Sequence, residues 1–135
     1  MKKFKFLEHK ADLKIRIYGR DLAELFVNAA LSLAEQQNPK IYPSADREWE
    51  SIEIQSSDLE SLLIDWLNEI LSQSDLNQKI YNHFKIEEIS ENQLKAKIAG
   101  VKTEQKQTEI KAATYHGLEI KKTNNHWQAI VILDI

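Results

Sequence analysis

The stretch Trp127-Gln128-Ala129-Ile130-Val131-Ile132-Leu133-Asp134-Ile135 decides the fold. Ile130 to Leu133 are apolar at four successive positions, so both faces of an extended segment are apolar, as in a central strand covered on both sides. Leu118 to Lys122 and the turn Thr123-Asn124-Asn125 precede it and complete a terminal hairpin. Further upstream, Glu109 to Thr114 fits either a strand or a short helix. Residues 102 to 108 carry no aliphatic side chain and read as an exposed, mobile loop.

Two long strands are expected before that loop, Ile80 to Ser90 and Leu94 to Val101, the second alternating Leu94, Ala96 and Ile98 with Lys95 and Lys97. A strong helix comes earlier. Ser57 and Glu60 form an S-x-x-E box at its start, and Leu59, Leu62, Leu63, Trp66, Leu67, Ile70 and Leu71 make a wide apolar face suited to core packing. A strand over Trp49 to Gln55 precedes it, and residues 38 to 48, with both prolines, read as a loop. Asp21 caps a first helix with Glu24 three residues on, and Leu22, Leu25, Phe26, Ala29 and Leu33 form its buried stripe. Leu13 to Tyr18 alternates as a half-buried strand ended by Gly19, and Phe4 to Leu7 gives a shorter strand before the polar turn Glu8 to Asp12. Strands and helices mixed in this order predict an α+β fold, one domain over residues 1–135, with a mostly antiparallel mixed β-sheet packed against two main α-helices.

Composition narrows the functional classes. A chain of 135 residues and 15.7 kDa is the size of one ordinary domain, able to bury roughly two-thirds of its unfolded surface. There is no cysteine, which excludes disulfides, thiolate zinc sites and cysteine nucleophiles. With 18 basic and 21 acidic side chains the net charge is -3, so no global positive field attracts nucleic acid; an RNA connection would need a local patch or a partner protein. Lys5, Glu8, His9, Lys10 and Asp12 interrupt the apolar residues near the N-terminus as a signal peptide would not allow, and no apolar run is long enough to span a bilayer. A cytoplasmic protein is the expectation.

Three features could carry chemistry. His9 and Asp12 share the turn between the first two strands. Asp134 lies at the end of an aliphatic strand, on the face of Ile130 and Ile132. There it is either wet at the strand end or paired, hydrogen-bonded or metal-bound, and the carboxylate of Ile135 would add a second negative group beside it. The third is Glu109-Ile110-Lys111-Ala112-Ala113-Thr114-Tyr115-His116-Gly117-Leu118-Glu119-Ile120, with Lys111 among small and apolar residues and the turn-like Tyr115-His116-Gly117. A phosphate-cradling Gly-rich loop, H-x-x-H or H-E-x-x-H pairs and a G-x-S-x-G elbow are all missing from the sequence.

Phe6-Leu7-Glu8-His9-Lys10-Ala11-Asp12 resembles the F-x-E-H-T-A-D opening of the archease family. Gly19 to Ala30 is similar to that family's G-x-x-L-x-E-L-F-x-N-A-A helix, Glu109 to Ile120 to its E-I-K-A-V-T-Y-H-G-L-x-I block, and Trp127 to Ile135 to its W-x-A-x-V-x-x-D-[IV] ending. The blocks come in the family's order and reach both ends of the chain. Lys10 replaces the usual Thr and Ala113 a common Val, while residues 38 to 108 match only in pattern.

The resemblance implies a protein cofactor of the RNA-splicing ligase, which joins a 2′,3′-cyclic phosphate or 3′-phosphate end to a 5′-hydroxyl end in tRNA splicing or RNA repair. Such a cofactor promotes guanylylation and repeated turnover of the ligase, catalyses nothing alone and meets RNA only through the ligase. It also implies a divalent cation, calcium first with magnesium or manganese as alternatives, held by Asp12 and Asp134 with Ile135 beside them. Lys111, His9 and His116 are the ligase-activating candidates. The competing readings are a small metal-dependent hydrolase built from His9, Asp12, His116 and Asp134, and a chaperone-like adaptor that uses residues 102 to 108.

Overall fold

A computed structural model describes residues 2–7, 12–40, 48–103 and 106–135. In chain order the elements are β1 (Phe4–Leu7), β2 (Asp12–Gly19), α1 (Leu22–Gln37), β3 (Glu50–Gln55), α2 (Leu59–Asn77), β4 (Lys79–Ile89), β5 (Gln93–Lys102), β6 (Ala112–Lys122) and β7 (Trp127–Asp134). The α+β class and the two main helices are as the sequence indicates. The strands divide into two sheets, ordered β1-β2-β7-β6 and β3-β5-β4, and every pairing is antiparallel. α1 touches β1, β2 and β7 of the first sheet and β4 of the second; α2 touches β6 of the first and β3, β4 and β5 of the second. One apolar core therefore joins both sheets through the helices.

β7 lies between β2 and β6, with cover on both faces as its composition requires. Ala129, Val131 and Leu133 are fully buried on the core side. Ile132 points to the other side, yet is only 5% exposed. Its cover comes from β6, where the register slips between Thr114 and Glu119 and four residues oppose one. Gly117, at φ +66, laps over Ile132 there; a Cβ on Gly117 would lie 2.8 Å from Ile132 Cδ1. A glycine allows both the backbone angle and the close approach.

Both helices begin on aspartate caps. Asp21 accepts a hydrogen bond from the Glu24 N–H at 2.8 Å, as its spacing predicts. The Glu24 carboxylate returns to the N–H and guanidinium of Arg20. For α2 the cap is Asp58, one residue after the expected Ser57, because its carboxylate accepts from the Ser61 N–H at 2.8 Å. Trp66, fully buried, donates from Nε1 to the Phe26 carbonyl at 2.9 Å and ties α2 to α1.

One open reading is resolved and one further expectation is revised. From Ala112 onward the ambiguous segment is strand, continuous through Lys122. The expected mobile loop is tied down over Lys106 to Thr108: the Gln107 and Thr108 N–H groups donate to the Gln37 carbonyl, and Lys106 pairs with Asp75 at 3.0 Å. Backbone anchors of this kind are invisible in a composition-based reading. Residues 41–47 of the predicted 38–48 loop lie outside the described residues.

Candidate functional site

The register of the first sheet brings separate parts of the sequence to one corner. Asp12 opens β2, Asp134 closes β7, and the two are direct cross-strand partners; Ala112, the first residue of β6, pairs with Asp134 from the other side. Directly opposed residues project to the same face with Cβ atoms about 5 Å apart. This register is fixed by the core. Ile15 and Ile17 of β2 and Val131 and Leu133 of β7 are buried, and a slip of one residue would turn them out to water.

The two carboxylates are half-buried and point away from the helices, on the face of Ile130 and Ile132. Like charges set directly opposite each other destabilise a sheet unless something positive lies between them. The donor set consists of hard oxygens, which suit calcium, magnesium or manganese rather than softer metals. Ile135, 41% exposed, follows Asp134 immediately.

Lys111 belongs to the same corner. Its backbone N–H donates to the Asp134 carbonyl at 2.7 Å, and its side chain is exposed. Ile110, only 5% exposed, anchors the residue before it in the core. The ammonium group thus leaves from a fixed point beside the two aspartates.

His116 is exposed in the β6 bulge, beyond the Thr114–Ile132 pair and so further along the sheet than the corner. Among the described residues no three His, Asp or Glu side chains come together, so His116 does not join Asp12 and Asp134 in one cluster. His9 lies outside the described residues.

Asn68 is a part of the site that sequence reasoning missed. From α2 its side-chain carbonyl accepts from the Ala113 N–H at 2.7 Å, and its amide donates to the Ala113 carbonyl at 3.2 Å. This two-point clamp occupies the free edge of β6 next to Lys111 and Ala112. Its signal was present in the sequence: Asn68 falls between Ile64 and Leu71 on a stripe whose other members are buried. A polar residue on such a stripe needs specific partners.

The chain belongs to the archease family: the model of the Archease protein family matches residues 4–135. It is 38% identical to the Methanosarcina mazei protein archease, across 99% of this chain and 97% of that protein. It is 34% identical to the Sulfurisphaera tokodaii protein archease, across the full length of both. Among solved structures it is similar to Methanobacterium thermoautotrophicum protein 1598, with a TM-score of 0.76 and 32% identity over 100% of each chain. It is also similar to a Thermotoga maritima protein described as an archease, possible chaperone, with a TM-score of 0.72 and 25% identity over 97% of this chain and 96% of that one. No helix among the described residues is long and apolar enough to cross a membrane.

Proposed function

We propose that this chain is a protein cofactor of an RNA ligase that joins 3′-phosphate or 2′,3′-cyclic phosphate ends to 5′-hydroxyl ends, stimulating its guanylylation and repeated turnover. The observation that carries the reading is the direct pairing of Asp12 with Asp134, with Lys111 bonded through its backbone to Asp134. Asp12 and Asp134, with Ile135 alongside, would hold a divalent cation, calcium first among hard ions. Such an ion supplies positive charge where phosphate oxygens gather. Lys111 would set its ammonium against the same phosphate charge, from a backbone position that cannot drift. His116 stands nearby on the bulge as a second ligase-facing group, and His9 follows from the family resemblance.

The arrangement supports an activator over a hydrolase. The hydrolase built from His9, Asp12, His116 and Asp134 needs His116 beside the two aspartates, and among the described residues His116 does not cluster with them. The Thermotoga maritima protein's description as a possible chaperone fits a chain that acts on another protein.

The test is RNA ligation by the cognate ligase with GTP and divalent metal, in single- and multiple-turnover regimes, with and without this protein. Wild type should restore repeated turnover, while Asp12→Ala, Asp134→Ala and Lys111→Ala, matched for folding by circular dichroism, should not. Unchanged turnover with wild type would overturn the reading. Metal-dependent phosphoester hydrolysis by the isolated chain would replace it with the enzyme alternative.

A further inference from the structure

The face of the first sheet that carries Asp12 and Asp134 has a second feature. Continuing along β2, the same alternation places Lys14 and Arg16 on this face, and the β1 register sets Lys5 directly opposite Arg16. Lys14 and Arg16 are about 7 Å apart along the strand, and Lys5 and Arg16 about 5 Å apart across it. Among the described residues none of these three cations has an ion-pair partner, whereas Lys95 and Lys97 on the second sheet are matched by Glu53, Glu88 and Glu87. Like charges directly opposite each other cost stability. Among the described residues the sheet therefore carries a strip of cations without ion pairs next to its acidic corner.

Two observations give the strip a ligand. Arg16 Nε is shut off from solvent with no hydrogen-bond acceptor among the described residues. An incoming oxyanion cannot reach that atom, but the two terminal nitrogens of the guanidinium can grip one in a bidentate fashion. The second is the β6 bulge. Gly117 sits against Ile132, and Ile132 is the cross-strand partner of Lys14. Tyr115, 57% exposed, and the exposed His116 belong to this bulge, one strand away from Lys14 across Ile132. Cations spaced along a strand, with an exposed ring beside them, are the elements of a single-stranded nucleic-acid platform: the cations follow the phosphates and the ring stacks on a base. An acidic protein surface would use the cations and leave the ring without a role. Glu119, across Ile130 from Arg16, is the acidic group on the same row, two strands away at roughly 9.5 Å.

We infer that Lys5, Lys14 and Arg16, with Tyr115, form a contact site for single-stranded RNA that leads its phosphates toward the Asp12–Asp134 corner. The inference takes the ligase reading as the reason that RNA is the strand concerned, and it goes beyond that reading in giving this chain an RNA contact of its own.

The experiment measures binding of a fluorescently labelled single-stranded RNA decamer to the isolated protein by anisotropy, at 50 and 200 mM salt. Three phosphate contacts predict a slope of about -2 in log K against log salt, or a roughly 20-fold weakening between the two conditions. Replacing Lys5, Lys14 and Arg16 together by Gln should abolish the measurable binding. Tyr115→Ala should weaken it at least fivefold while keeping the salt slope, and Lys95→Gln/Lys97→Gln should leave it unchanged. Absence of wild-type binding at 50 mM salt overturns the inference. So does wild-type RNA affinity in the triple variant, including a triple variant that loses only its affinity for the ligase, which would make the strip a protein-docking surface. Ligase stimulation is scored separately: RNA binding without stimulation would sink the ligase reading and keep this site, and the reverse would keep the reading and remove the site.

Discussion

Asn68→Ala tests how the corner is held. The substitution removes a hydrogen bond of 2.7 Å to the Ala113 N–H and one of 3.2 Å to its carbonyl. Ala113 is 4% exposed, so water can replace the lost partners only if the strand edge opens. Each hydrogen bond contributes about 1 kcal/mol net, and leaving a buried backbone group unsatisfied costs about 1–3 kcal/mol. For two groups with partial relaxation the expected loss is about 3 kcal/mol. At about 2.1 cal/mol/K of unfolding entropy per residue, that lowers Tm by roughly 10 °C. Urea denaturation gives the free energy, and an unchanged m-value would show that the variant unfolds from the same compact state. Amide exchange localises the effect: protection should fall at Ala113 and at Lys111, whose N–H is bonded to Asp134. A loss under 0.5 kcal/mol, or full protection at both amides, would refute the idea that Asn68 fixes the start of β6.

Other outcomes follow from the same geometry. Calcium should raise the wild-type Tm, by the equivalent of about 2.7 kcal/mol at a hundredfold excess over Kd. Asp12→Asn and Asp134→Asn should lose that response, and Asp134→Asn in EDTA should be as stable as wild type or more so by up to about 1 kcal/mol, because the opposed charges are relieved; differential scanning fluorimetry reads both arms. Gly117→Ala should cost about 1–2 kcal/mol through its φ of +66 and its contact with Ile132 Cδ1, and Ile132→Val should recover part of that loss in a double-mutant cycle. Tyr81→Phe removes a hydrogen bond to Glu50 at 2.7 Å and one from Asn77 at 2.9 Å, at a cost of about 1–2 kcal/mol in a denaturant titration at pH 7. Burial, followed by the Glu50 hydrogen bond, raises the Tyr81 hydroxyl above its ordinary range. The folded chain then keeps a proton that the unfolded chain loses above about pH 10, so wild-type stability should fall there and the Phe variant should lose that part of the slope.

The sequence was most informative where alternation and core packing coincide. The apolar run Ile130 to Leu133 identified the central strand, and the helix stripes identified nearly all of the buried face of α2. What stayed hidden depends on pairing. Alternation put Asp134 with Ile132, but only the β2–β7 register shows that Asp12 is its partner. The division into two sheets was closed to inspection for the same reason, since a strand's pattern says which face is buried and not which strand lies beside it. The Ser57 cap missed by one residue because Ser57 and Asp58 are both good capping types, and geometry alone chose Asp58.

The outer face of β2 joins these threads. Asp12, Lys14 and Arg16 alternate with Leu13, Ile15 and Ile17, so the period that turns one set to the core turns the other, half-buried, to the outer face. The acidic end and the basic middle of that face are therefore held in one frame by the core residues behind them. Neither can move relative to the other without breaking the pairing of Ile15 with Val131 or of Ile17 with Ala129. A fixed separation of this kind is what the proposed cation site and the proposed phosphate-binding strip would need in order to meet the same strand. The β6 bulge adds the one part that alternation cannot supply, the exposed ring of Tyr115 two residues before the glycine that packs on Ile132. The net charge of -3 hides this arrangement because it sums acidic and basic groups that the fold sets at different points of one face.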